Sequence, residues 1–367
     1  MSARILGILT LLLTLLAAPA VAAPTAEPPG RRDPSVPGPG SYLALVDHGT
    51  RGDHGVEPAR QRLVLVDRDG TQHVVLSRPA GGYRTMRLVD WSPDGSTALL
   101  LTGREGHQRA ITVDVVTGWS MTTRVPSDAA SVVLSPDTGG LLVAAFGDRT
   151  GEPLSLVARD GTRTRLAARM TGTLLPSLDG STLLTNGAHW RARVMRVLSA
   201  TDGSVVRRVA VDGRCQPVRW WGGDRALLTC GADLALLDLA TGDFRRLTSR
   251  HDAGDGDLGH LDARRIDGGL YVQVAGGCGE QFLGRRERGG RVTPVDVPGA
   301  VGNVLLLGGT RDRLVVQHAQ SCEGAAPRSV IARLDPATGH ERTLVRLPRS
   351  EDFGAVLAHG ERQPLGY

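Results

Sequence analysis

The chain repeats one turn signature at nearly even intervals along most of its 367 residues. In this signature an apolar run meets an Asp-containing turn, as in Trp91-Ser92-Pro93-Asp94-Gly95, and a second apolar run follows. Its acidic residues are 43, 42, 45, 43 and 45 positions apart and fall at Asp94, Asp137, Asp179, Asp224, Asp267 and Asp312. Such a repeat indicates an array of similar supersecondary units.

A second turn signature alternates with the first. A short β-forming run ends in Asp or Ser, and a glycine follows within a few residues, at Gly70, Gly118, Gly161, Gly203, Gly242, Gly290 and Gly339. Pro, Asp and Gly suit such turns because Pro presets φ, Asp bonds backbone amides and Gly accepts positive φ. The two signatures define seven units, and the second unit reads as strands over 86–91, 97–102, 110–115 and 120–125.

We therefore expect an all-β fold, a seven-bladed β-propeller of four-stranded antiparallel blades over residues 41–360. A four-stranded unit buries only part of its apolar surface alone, so the units have to pack face to face. A β-sandwich is the alternative, but it gives no reason for seven even periods. Unit one offers only three strands, and the run Gly354-Ala355-Val356-Leu357-Ala358 is left over at the end. We expect this run to complete blade one and close the ring, which hides exposed sheet edges.

The N-terminus has the pattern of a signal peptide over residues 1–22. Arg4 precedes an apolar run at 5–18, and Ala20-Val21-Ala22 matches the small-x-small cleavage pattern. The run is shorter than the roughly 20 residues that a membrane-spanning helix needs, so we expect no membrane span. Residues 23–40 hold six prolines and predict a disordered tether, and residues 361–367 a C-terminal tail. The predicted location is secreted or in the extracytoplasmic cell envelope.

The four cysteines favour disulfide bonds over a metal site, because their number is even and no Cys-x-x-Cys spacing occurs. Cys215 and Cys230 flank a hairpin turn, and a symmetric hairpin closed by the pair Trp220:Arg225 sets them opposite each other. Cys278 and Cys322 lie 44 residues apart, about one repeat, so we expect them to bridge blades six and seven. Four free thiols are the alternative.

The net charge of the chain argues against only one class of partner, nucleic acid. All 43 basic residues are arginines, and they face 38 acidic residues, for a formal net charge of +5. This mild excess is far from the dense basic surface of a nucleic-acid-binding protein. We expect no nucleic-acid partner and a monomeric protein.

The units at Trp91-Ser92-Pro93-Asp94-Gly95 and at residues 134–137, each followed by an Asp-containing turn that ends in Gly, resemble the repeats of TolB-like and WD-type β-propellers. The resemblance covers roughly residues 41–358. It implies the propeller fold and a role as a protein-interaction scaffold in the cell envelope.

The predicted strand order separates two rims of the propeller. The repeated turns share one rim, here called the turn rim, and the more variable connections after the second and fourth strands share the other, the loop rim. Loops on a rigid scaffold concentrate binding residues. The candidate partner-binding residues on the loop rim are His48, Arg51, Arg104, His107, Arg109, His189, Trp190, Arg191 and Arg193. They indicate a positively charged rim for an acidic protein patch or an anionic envelope polymer; solvated loop charges are the alternative.

A polar loop between units five and six is the one candidate for a metal site. We expect no cofactor, but Asp252, Asp255 and Asp257 could offer oxygen ligands to Ca²⁺. The segment lacks the spacing of the twelve-residue calcium loop, so an ordinary polar loop is the alternative.

Two functions remain open from the sequence. The first is a non-catalytic exported scaffold that binds its partner through the loop rim. The second is a hydrolase, lactonase or lyase at the central pore, with or without a divalent cation. The sequence has no phosphate-binding Gly-rich loop, Rossmann fingerprint or His-Glu-x-x-His motif, so no catalytic residue is predicted.

Overall fold

The computed structural model describes residues 37–52, 55–104, 106–145, 152–170, 173–186, 193–249, 252–254, 257–310, 312–320 and 328–360. The predicted signal peptide, nearly all of the predicted tether and the predicted C-terminal tail lie outside these ranges, so those boundaries stay predictions. Within the described ranges, no helix has the length and apolar character that a bilayer crossing requires.

Seven antiparallel sheets of four strands form the blades of a β-propeller, as predicted. Blade one joins the last strand of the chain to the first three: β28 (Glu351–Ala358), β1 (Tyr42–Gly52), β2 (Gly55–Val66) and β3 (Gln72–Pro79). Blade two contains β4 (Met86–Trp91), β5 (Thr97–Thr102), β6 (Arg109–Asp114) and β7 (Ser120–Arg124). Blade three contains β8 (Ala129–Leu134), β9 (Gly140–Ala145), β10 (Glu152–Ala158) and β11 (Arg163–Met170).

Blades four to seven follow in chain order. Blade four contains β12 (Leu174–Pro176), β13 (Thr182–Asn186), β14 (Val194–Ser199) and β15 (Val205–Ala210). Blade five contains β16 (Cys215–Gly222), β17 (Arg225–Cys230), β18 (Asp233–Asp238) and β19 (Phe244–Arg246). Blade six contains β20 (Gly259–Ile266), β21 (Gly269–Ala275), β22 (Gln281–Arg286) and β23 (Val292–Pro294). Blade seven contains β24 (Ala300–Gly309), β25 (Leu314–Gln320), β26 (Arg328–Leu334) and β27 (Glu341–Arg346).

The ring closes through the pairing of β28 with β1, as predicted. The register runs from Tyr42 opposite Ala358 to His48 opposite Glu351. The strand is longer than the predicted run, and Gly354 forms a bulge within it. The first and last strands of the chain therefore share one blade, which removes two sheet edges.

The predicted turn chemistry is visible in the hairpin of blade three. The Ser135 hydroxyl donates a hydrogen bond of 2.6 Å to the Asp137 carboxylate, which also accepts the Gly139 amide at 2.9 Å. These hydrogen bonds lower the pKa of Asp137, the Ser135 bond having the largest effect. Ser177, Asp179 and Ser181 repeat the arrangement in blade four. The Asp of the repeat thus stabilises a turn and has a structural role.

The apolar core lies between neighbouring blades. The second strand of blade three, β9, is buried at every residue, because other blades cover both faces of the sheet. Two buried glutamines add polar links between blades. The Gln61 side-chain amide donates to the Met86 carbonyl at 3.0 Å and accepts the Met86 amide at 2.5 Å. Gln273 bonds Val304 and Leu306 of blade seven in the same way.

The predicted disulfide between Cys215 and Cys230 is confirmed. The two residues are register partners in the β16–β17 hairpin, with Cα atoms 4.0 Å apart. Cys278 lies in a short 3-10 turn at Gly277–Gly279, and Cys322 falls outside the described residues. The second bridge therefore stays a prediction.

The predicted closing pair of that hairpin, Trp220 with Arg225, is wrong. Arg225 pairs with Gly222, and Trp220 pairs with Ala226, because two bulges in β16 shift the register near the turn. The Trp220 indole donates a hydrogen bond of 2.7 Å to the carbonyl of Pro176 in blade four. Packing against another blade thus affects the conformation of this strand. A prediction from hairpin symmetry alone does not include that packing.

Candidate functional site

The loop rim of blade two exposes an aromatic side chain beside an arginine. Tyr83 lies in the 3-10 turn Gly82–Arg84 and is 69% exposed. The guanidinium carbon of Arg104 is 5.6 Å from the centre of its ring, a cation–π contact. The Gly103 amide and the Thr102 hydroxyl both donate to the Tyr83 carbonyl, at 3.0 and 3.2 Å. The backbone at Tyr83 is therefore fixed while its ring stays open to a partner.

Two further predicted residues follow Arg104, one in the connection between β5 and β6 and one at the start of β6. His107 and Arg109 are exposed, and Arg109 is the register partner of Arg124, also exposed. Among the described residues, no carboxylate forms an ion pair with Arg104, His107 or Arg109. We call Tyr83, Arg104, His107 and Arg109 the blade-two patch. Its positive charge is available to a partner.

The other predicted partner-binding residues do not join this patch. His48 pairs with Glu351 at 3.3 Å in blade one, and Arg62 binds the second oxygen of Glu351 at 2.6 Å. Arg51 lies in β1, and Arg193 is exposed on the loop rim of blade four. Three predicted residues lie outside the described ranges: His189, Trp190 and Arg191.

Two carboxylates, neither of them a predicted site residue, meet at the loop-rim end of blade one. The first strand of blade one, β28, contacts the first strands of both neighbouring blades, β4 and β24, and Asp352 lies near its loop-rim end. Burial raises the pKa of Asp47, and the charge of Asp352 raises it further, against a hydrogen bond from Gln61 of 2.7 Å. The Ser329 hydroxyl donates to Asp352. The pair of Asp47 and Asp352 can be predicted only when the register of β28 against β1 is known.

In the predicted calcium loop, the described carboxylates accept hydrogen bonds from backbone amides. Asp252 accepts the Ser249 amide at 2.7 Å, and Asp257 accepts the Gly259 amide at 2.8 Å. Asp257 also lies 3.1 Å from His260, both side chains being fully buried. Asp255 lies outside the described ranges, and the part of the chain that is described holds no group of three or more potential ligands arranged for a metal ion. Calcium binding stays a prediction.

Burial lowers the pKa of His260, although the nearby Asp257 carboxylate acts in the opposite direction. Within the fold the pair joins the loop after blade five to the first strand of blade six, which is a structural role.

Comparison with known proteins defines the class. No protein-family model matches this sequence, and no curated protein sequence matches it. Among solved structures, the periplasmic gluconolactonase PpgL of Pseudomonas aeruginosa is similar over 87% of this chain and 99% of its own, with 16% identity and a TM-score of 0.51. A 6-phosphogluconolactonase of Bacteroides fragilis, described as putative, is similar over 86% and 97%, with 13% identity and a TM-score of 0.51.

TolB from Acinetobacter baumannii is a third similar structure, over 90% of this chain and 67% of its own, with 13% identity and a TM-score of 0.42. At such identities the likeness concerns the fold. The chain is a seven-bladed β-propeller protein, and its neighbours in fold include enzymes as well as TolB.

Proposed function

We propose that this chain is an exported, non-catalytic β-propeller that binds a protein with an acidic surface through the blade-two patch. The observation that carries this function is Tyr83, exposed and stacked with Arg104 on a rigid scaffold. Tyr and Arg are enriched among the residues that dominate protein interfaces. Arg104 and Arg109 add positive charge, which favours an acidic partner.

Export is supported by the disulfide between Cys215 and Cys230, a bond typical of oxidising compartments. The N-terminal sequence pattern supports it independently. The Ser-containing and Asp-containing turns support repeats of the TolB-like or WD type, which is the finer family assignment that we propose.

Site-specific photo-crosslinking tests the binding surface. A photoreactive residue replaces Tyr83 in one variant and Trp119 in another, in cells that export the protein. Trp119 is a matched control because it is 60% exposed but lies on the turn rim. We expect a discrete protein adduct from position 83 and none from position 119.

Charge reversal then tests the role of the arginines. In the variant Arg104→Glu with Arg109→Glu, we expect the adduct at position 83 to disappear and the isolated partner to bind about 100-fold more weakly. Equal adducts from both positions, or an adduct that survives charge reversal, would contradict the proposal.

A second candidate function is an enzyme at the channel mouth. It is favoured by the carboxylate pair of Asp47 and Asp352, since a raised carboxyl pKa beside a second carboxylate is common in catalytic sites. Gluconolactone hydrolysis by the purified protein discriminates the two functions. The enzyme predicts turnover that Asp47→Asn abolishes, whereas the scaffold predicts the same background rate for both proteins.

A further inference from the structure

Two adjoining cavities open on the turn rim between blades five and six. Their volumes are about 970 and 580 Å³, and Arg245 and Arg265 line both. We call the combined feature the arginine groove. The arginines that define it are Arg225, Arg245, Arg265, Arg285, Arg286 and Arg288.

The strand register explains why arginines of two blades meet there. In blade five, Arg245 is the register partner of Leu236. In blade six, Arg265 and Arg286 are both register partners of Leu270. Directly opposed residues in antiparallel strands share a face of the sheet. Leu236 and Leu270 belong to one apolar core between the two blades. Arg245, Arg265 and Arg286 therefore lie on the two sheet faces that pack against each other around this core.

The other arginines that line these cavities have carboxylate partners. Arg246 lies 2.7 Å from Asp233, and Arg219 and Arg264 lie 3.8 and 3.5 Å from Asp262. These three side chains are therefore partly neutralised within the protein.

The six arginines that define the groove differ in this respect. Within the described ranges, no carboxylate oxygen lies within 4.0 Å of their guanidinium nitrogens. Asp267 and Glu287 are the carboxylates among the lining residues, so positive charge dominates the groove. Like charges held together repel one another, and a bound anion relieves that repulsion.

We propose that the arginine groove binds a linear polyanion that carries phosphate or carboxylate groups along its chain. Guanidinium groups bind both kinds of oxyanion through paired N–H donors. The site is an extended groove, because Arg265 comes from a first strand, Arg225 from a second, Arg286 from a third and Arg245 from a fourth. At about 4.8 Å between strands, four strands extend over about 14 Å, which a single phosphate does not fill.

This inference goes beyond the proposed function, because the groove lies on the rim opposite the blade-two patch.

Isothermal titration calorimetry with two polymers tests the inference. Short-chain polyphosphate and an oligouronate distinguish phosphate from carboxylate as the bound group, and inorganic phosphate tests a single anion. We expect one or both polymers to bind, with an affinity that falls as salt rises, and inorganic phosphate to bind at least about tenfold more weakly. The variant Arg245→Gln with Arg265→Gln should weaken polymer binding about 30-fold.

The matched control removes the same charge from the other rim. The variant Arg104→Gln with Arg109→Gln should bind the polymers within about twofold of the unmodified protein. The single variant Arg288→Gln, on an exposed turn, serves if the groove variant does not fold, and it should weaken binding about threefold.

Three results would overturn the inference: equal losses in the groove and control variants, no binding of either polymer, or inorganic phosphate that binds as tightly as the polymers. Failure of the proposed function is distinguishable, because it concerns a protein partner that Arg104 and Arg109 bind and the groove arginines do not.

Discussion

Asp47 on β1 and Asp352 on β28 lie directly opposite each other in the strand pair that closes the ring. Burial is the main reason that the pKa of Asp47 is raised, and the neighbouring carboxylate adds to it. A folded-state pKa above the unfolded-state value means that the folded protein binds the proton more tightly. Ionisation of Asp47 therefore lowers stability as the pH rises through these two values.

We predict that Asp47→Asn stabilises the protein at neutral pH. The amide keeps an oxygen that can accept the hydrogen bond from Gln61 and removes the buried charge. The advantage should vanish near about pH 3, where the carboxyl group of the unmodified protein is protonated in both states. Urea unfolding at the two pH values measures it, with the exposed Asp296→Asn as the control. A variant less stable at both pH values would contradict the prediction.

Loss of the disulfide should destabilise the propeller by about 3 kcal/mol, the value expected for a closed loop of this length. The bond joins residues 15 positions apart within one hairpin of blade five. The measurement is urea unfolding of Cys215→Ser with Cys230→Ser. Cys278→Ser with Cys322→Ser forms the common background, so that dithiothreitol acts on this bond alone. The reductant should lower the stability of the background protein and leave the variant unchanged; the opposite pattern would refute the assignment.

Because β28 closes the ring, we predict that Val356→Asp strongly lowers the stability of the protein. Val356 on β28 is 7% exposed and packs in the apolar core that contains residues of blades one and seven. An unpaired carboxylate there should cost at least about 3 kcal/mol and expose the edge of β1. Urea unfolding and size-exclusion chromatography measure stability and self-association. The control is Val301→Asp, since Val301 is 48% exposed; similar small losses in both variants would show that β28 contributes little.

The fold could be predicted because the repeated turns are encoded locally. Ser135 and Asp137 are two residues apart and fix their turn by contacts with each other and with the next backbone amides. The leftover strand at the end of the chain was predicted differently, by counting the strands of each unit and finding one missing from unit one. The bulges of β16 could not be predicted, because Trp220 bonds a carbonyl of another blade.

The candidate sites were predicted only in part. Arg104, His107 and Arg109 were found because they share one short connection. Tyr83 lies in a different connection, and only the structure brings its ring to Arg104. Arg245 and Arg265 are in different sheets, and they line a common groove because blades five and six pack face to face. Sequence spacing carries no signal for such a meeting of two sheets.

The pairing of Tyr42 with Ala358 has a consequence for orientation. The chain enters β1 and leaves β28 side by side on the turn rim, and Pro37 lies against Gly95, in a turn of that rim. The first and last described strands of the chain therefore end on the same rim as the arginine groove. The blade-two patch lies on the opposite rim, so a polyanion bound in the groove would leave it free to engage a second molecule.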